Sequence, residues 1–99
     1  MKINNSYPGL YIVFEGIVGT GKTTQSKRLF EYLKDRCLDK KIIWTREPGG
    51  TKISDAIRTI VQGTAFEENM EPICEICLYA ASRAQSLRTV VKPVLDEGG

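Results

Sequence analysis

Histidine is absent from these 99 residues and cysteine is scarce, at three. An odd cysteine count does not suggest a secreted disulfide framework. With no histidine and one cysteine besides Cys74 and Cys77, a four-ligand zinc site cannot be assembled within the chain. Long apolar runs are also missing. Nothing approaches the roughly 20 residues of a membrane span, and Met1-Lys2-Ile3-Asn4-Asn5-Ser6 lacks the apolar stretch of a signal peptide. The net charge is only +2, and no basic run is interleaved with aromatics, so neither nucleic acid nor a membrane is an expected partner. Repeats and low-complexity tracts are absent. Together these gaps favour a reducing, cytoplasmic setting.

What remains is ordinary for a soluble globular domain: hydrophobic residues at 41% and charged residues at 26%. The length allows one domain at most, with a small core. Leu10-Tyr11-Ile12-Val13-Phe14, bounded by Pro8-Gly9 and Gly16, reads as a buried strand of a parallel sheet. Thr23 to about Leu38 reads as a helix, with Ser26, Leu29, Phe30, Leu33 and Cys37 on one face. Lys41-Ile42-Ile43-Trp44-Thr45 is a second strand candidate, completing a βαβ unit. Arg46 to Thr51, with Pro48-Gly49-Gly50, must be a loop. Ser54 to Gln62 reads as a short helix closed by Gly63, and Thr64 to Glu71 as a linker. Pro72 suits the first turn of a last helix. Its expected buried stripe is Ile73, Ile76, Cys77, Ala80, Ala84, Leu87 and Val91. Pro93 kinks that helix or begins a final turn, and Gly98-Gly99 caps it.

Gly16-Ile17-Val18-Gly19-Thr20-Gly21-Lys22-Thr23 satisfies G-x-x-x-x-G-K-T after a strand and before a helix. Wrapping a triphosphate in main-chain N–H groups needs glycines, whose missing side chains neither block the approach nor forbid the torsions. The helix start favours anions. Lys22 supplies a point charge for the β- and γ-phosphates, and Thr23 a hydroxyl for Mg²⁺. A dinucleotide-binding loop would need glycine at position 24, where Thr24 stands. Cys74-Glu75-Ile76-Cys77 is a C-x-x-C at a helix start, but Cys77 falls on the expected apolar stripe and reads as structural.

Three stretches, in order, resemble the thymidylate kinase family. Phe14 to Gln25 resembles its P-loop. Thr45-Arg46-Glu47-Pro48-Gly49-Gly50-Thr51 is similar to the loop after its second strand. Leu78-Tyr79-Ala80-Ala81-Ser82-Arg83-Ala84-Gln85 is similar to its helical L-F-A-A-x-R-A-Q segment. The resemblance covers the chain from about Leu10 onward. It implies an α/β P-loop NTPase fold of the nucleoside-monophosphate kinase type, three-layer α/β/α with a parallel sheet. It also implies transfer of the γ-phosphoryl of ATP to dTMP, with Mg²⁺, and a homodimer at full length. By the same resemblance Tyr79 stacks on thymine, and Arg83 contacts the base edge and phosphate region. Arg46 and Pro48 wall the nucleotide site. Lys22 and Arg83 are the expected catalytic residues.

Tyr79 and Arg83 lie four apart and so share a helix face. The sequence departs from the family at Val18, where many members carry an acidic residue, at Tyr79, where phenylalanine is commoner, and at Ser86, where histidine is frequent. The whole span 1–99 reads as the N-terminal part of one P-loop kinase domain, ending before the family's third strand. The isolated piece is then expected to lack activity. Two alternatives stand beside this reading: another P-loop deoxynucleoside or nucleotide kinase, or a truncated, non-catalytic nucleotide-binding fragment.

Overall fold

A computed structural model describes residues 8–17, 19–63 and 66–99. The expectations placed on Val18, and on the first residues of the Thr64–Glu71 linker, lie outside the described residues. The order is α1 (Lys22–Arg36), α2 (Lys52–Val61), α3 (Pro72–Ser86), a π-helical turn (Leu87–Val91) and α4 (Lys92–Asp96). The chain divides into two compact units, Met1–Trp44 with Pro93–Gly99, and Thr45–Lys92.

Among the described residues no strand forms. Leu10–Phe14 and Lys41–Thr45, both expected as strands of a parallel sheet, carry no hydrogen-bonded ladder. An apolar run fits a strand's burial pattern, but a strand exists only as a member of a ladder. Leu10 to Phe14 accordingly remain 41–58% exposed.

In the first unit, α1 begins at Lys22, one residue before expectation, and ends at Arg36. Cys37 stops it, its N–H bonding back to the Leu33 carbonyl at 2.8 Å. The expected α1 face is used: Trp44 Nε1 donates to Ser26 Oγ at 3.0 Å. The Phe30 and Trp44 rings stack with centroids 6.3 Å apart. At the other end of the unit, Gly98 takes φ 90°. Gly99 N–H then bonds to the Val94 carbonyl at 2.9 Å and Gly98 N–H to Leu95 at 3.1 Å. This paired pattern caps α4, as the two terminal glycines imply. Gly9 N–H bonds to the Leu95 carbonyl at 3.0 Å. A side chain at Gly9 would stand 2.9 Å from the Leu95 main chain, so only glycine lets α4 approach there.

In the second unit, Thr51 caps α2, its Oγ1 accepting from Ser54 N–H at 2.9 Å. The cap sets the helix start at Lys52, two residues before the expected Ser54. Gly63, at φ 75°, closes α2 as expected. Pro72 occupies the first turn of α3. The π turn precedes Pro93, which has no N–H to give and whose ring would strike the carbonyl four residues back. Lys92 N–H therefore reaches back five residues to Leu87, a widened turn that relieves the clash.

The expected apolar stripe is buried at its end, at Val91, but not along α3. Ile73 is 76% and Ile76 66% exposed. Cys77, read as structural, is exposed too. The buried positions are Ser82 and Ser86, one turn apart. Small side chains there let the 45–50 loop and α2 reach the helix backbone. Gly49 N–H donates to Ser82 Oγ at 3.0 Å, and Ser54 Oγ donates to the Ser82 carbonyl at 2.9 Å. Ser86 Oγ is buried without a partner among the described residues.

The two serines should therefore respond differently to truncation. Ser82→Ala strips the buried Gly49 N–H of its acceptor and is expected to cost about 1–3 kcal/mol. Ser86→Ala deletes an unpaired hydroxyl and is expected to be neutral or mildly stabilising. Urea unfolding of the two variants against the parent measures the difference, and equal losses would refute it.

Candidate nucleotide-binding site

In the first unit the loop from Gly16 to Thr23 is fully exposed at every described position. It begins with a turn in which Thr20 N–H and Thr20 Oγ1 both bond to the Ile17 carbonyl, at 3.3 Å and 2.8 Å. Gly19 and Gly21 then take φ 90° and 83°. Those left-handed torsions favour glycine. A Cβ at either would meet nothing within 4 Å, so space stays open beside the main chain. Lys22 Nζ donates to the Gly16 carbonyl at 2.7 Å, which carries the ammonium back across the loop to its first residue. One stretch of chain thus combines glycine-permitted turns, open flanks and a cation.

Helix α1 grows directly from this loop. Gly21 is its N-cap, without a side-chain cap hydrogen bond, and no acidic residue lies in its first turn. A helix start left this way carries partial positive charge on its free N–H groups. Thr23, the second helical residue, presents an exposed hydroxyl. An uncharged oxygen ligand next to an anion cradle is the donor chemistry that Mg²⁺ takes, since this ion binds through few protein oxygens. Among the described residues no group of three or more His, Cys, Asp or Glu gathers.

The second unit assembles the other expected residues. Its 46–50 loop is fastened at several points. Besides the Gly49–Ser82 bond, Arg58 Nη1 donates to the Pro48 carbonyl at 2.9 Å, and Gly50 N–H donates to Asp55 Oδ1 at 3.1 Å. Pro48 is half-buried and Arg46 exposed. From α3, Arg83 Nε donates to Glu47 Oε2 at 2.9 Å. The structure therefore joins Arg83 to the very loop that carries Arg46 and Pro48. Tyr79 lies one helical turn before Arg83 and is 43% exposed, on the same side by the helix period.

Sequence reasoning passed over the residues that fix this loop. Ser54, Asp55, Arg58 and Ser82 read as unremarkable helix positions. The only signal was the Thr51-x-x-Ser54 spacing of an N-cap, which places Ser54 beside the loop. Glu47 was given no firm role, because a lone loop carboxylate carries no pattern that reveals its partner.

The family model for thymidylate kinase matches residues 14–99. The chain is 44% identical over 93 residues to a thymidylate kinase of Prochlorococcus marinus (strain NATL2A), covering 91% of this chain and 44% of that one. It is 49% identical over 90 residues to one from Ligilactobacillus salivarius (strain UCC118), covering 91% of this chain and 42% of that one. It is 48% identical over 89 residues to one from Geotalea daltonii, covering 90% and 40%. The chain thus spans less than half the length of these relatives. The matched span takes in the glycine loop, the 46–50 loop and the helix bearing Tyr79 and Arg83, and by that match the chain belongs to the thymidylate kinase family.

Proposed function

We propose that the complete protein transfers the γ-phosphoryl group of ATP to dTMP, giving dTDP. The observation that carries this reading is the Lys22 ammonium folded across a glycine loop that opens directly into an uncapped helix. Membership of the thymidylate kinase family supports it. The α/β P-loop fold with its parallel sheet belongs to the same proposal, for the complete protein. So do a homodimeric state and a cytoplasmic setting. Among the described residues, no helix is long and apolar enough to cross a membrane.

The mechanism follows from what each residue can do. Main-chain N–H groups between Gly16 and Thr23, with Ile17, Val18 and Thr20 as the expected ATP-binding positions among them, would bind the triphosphate. Lys22 leaves the Gly16 carbonyl and sets its charge against the β- and γ-phosphates. The Thr23 hydroxyl would hold Mg²⁺, which when bound would further neutralise the phosphate charge. Phosphoryl transfer needs positioning and charge compensation more than covalent help from the protein. The acceptor is a phosphate oxygen of dTMP, so no side chain acts as nucleophile. Tyr79 offers its ring to the base, and Arg83 offers its remaining guanidinium N–H groups to the base edge or phosphate. Arg46 and Pro48, on the loop that Glu47 joins to Arg83, would border the same substrate.

Two sets of variants of the full-length protein test this. Lys22→Ala is expected to lower kcat by about 10²-fold or more, the scale of losing one preorganised charge donor. Parental turnover in that variant would end the proposal. Tyr79→Ala is expected to raise the KM for dTMP by about tenfold or more, because stacking a base on an aromatic ring is worth about 1–3 kcal/mol. Tyr79→Phe should stay near the parent. In an acceptor series that includes dUMP, dTMP should exceed AMP and thymidine. A preference for thymidine would point instead to a deoxynucleoside kinase.

A further inference from the structure

We infer that Glu47 is a positioning residue that holds Arg83 by its Nε edge and so fixes where the rest of the guanidinium is presented. The inference rests on the reading of Arg83 as a substrate-binding residue. The contact is a charge-assisted hydrogen bond of 2.9 Å from Arg83 Nε to Glu47 Oε2. A guanidinium is a rigid planar fork with five N–H donors. Engagement at Nε consumes one and leaves the four on the terminal nitrogens. The bond therefore restrains the fork at its Nε edge without occupying its far edge.

The asymmetry of the pair tells which partner directs the other. The Glu47 side chain is 26% exposed and that of Arg83 65%. Glu47 stands on the loop that is tied to Ser82, Arg58 and Asp55 within the next three residues. The carboxylate is thus held by its surroundings, and the long arginine side chain is held by the carboxylate. An ion pair so exposed on one side adds little to stability, so maintaining the fold is a poor account of it. Directing a flexible side chain needs only geometry, which the pair supplies. Side-chain placement matters at such a site because a shift of about 1 Å in a substrate-positioning group can cost up to about 100-fold in rate.

The test uses the full-length protein as parent, Glu47→Ala, Glu47→Gln and Arg83→Ala. Without substrate, the Arg83 Nε–H resonance should be sharp and slow to exchange in the parent. It should be lost in Glu47→Ala and kept in Glu47→Gln, whose amide oxygen still accepts. With substrates, Glu47→Ala should raise the KM for dTMP by about tenfold, a scale typical of lost orientation, while the KM for ATP stays within about twofold and the melting temperature is little changed. Glu47→Gln should recover most of the loss, which removal of a merely structural charge would not explain. If Arg83→Ala is impaired for dTMP but Glu47→Ala behaves like the parent, the inference fails and the substrate reading survives. A Glu47→Ala variant that loses melting temperature and weakens ATP and dTMP alike also overturns it. If Arg83→Ala itself keeps the parental KM for dTMP, the substrate reading fails and takes the inference with it.

Discussion

Ser82 is the point on which the second unit turns. Its hydroxyl accepts the Gly49 N–H and its carbonyl accepts the Ser54 hydroxyl. One small residue thereby ties a loop and the start of α2 to the middle of α3. Apolar burial alone could not do this here. The buried hydrophobic side chains among the described residues of this unit are Val61 and Val91, each worth roughly 1.5–3 kcal/mol on full burial. A buried N–H left unpaired costs about 1–3 kcal/mol, comparable to losing one of those valines. Polar pairing at Ser82 therefore ranks with the apolar core in fixing the loop.

The features that the sequence made legible are those governed by local torsions. Gly63 and Gly98 end helices because a left-handed residue must follow the last turn, and glycine adopts it at low cost. Pro72 begins α3, and Pro93 disturbs the helix, because a residue without an N–H constrains its own neighbourhood. The glycine loop's entry into α1 is local in the same sense. The illegible features depend on partners far along the chain. Periodicity placed Ile73, Ile76 and Cys77 on one stripe, but it cannot say what covers a stripe, and these residues lie exposed. It placed an apolar run at Leu10–Phe14 without a ladder neighbour. Serine at 82 and 86 carries no pattern that marks it for burial, yet both are buried and their small size admits the loop.

For the candidate site the same division holds. Residue types at the glycine loop match what an anion cradle would need, so spacing alone makes Lys22 and Thr23 candidates. Arg83 could be named only through a family resemblance. Its Glu47 partner, 36 residues away, could not be read from the sequence at all. Serine-mediated closure of the 46–50 loop brings the two together. What a pairwise contact selects is a three-dimensional arrangement, and no run of neighbouring residues encodes it.

The two glycine-bearing loops also differ in what their glycines permit. Gly19 and Gly21 have positive φ and empty space where a side chain would stand, so their main chain is open to a bulky anion. Gly49 and Gly50 have positive φ as well, at 128° and 102°. A Cβ on Gly49 would stand 2.8 Å from Asp55 Oδ1, and one on Gly50 2.5 Å from Thr45 Oγ1 and 3.0 Å from Ser86 Oγ. Their amides are already committed to Ser82 and Asp55. The first loop can therefore grip a ligand with its backbone, whereas the second has used its glycine amides on itself. Those two amides are therefore closed to a ligand, while the loop still carries the exposed Arg46 side chain and, through Glu47, holds the guanidinium of Arg83.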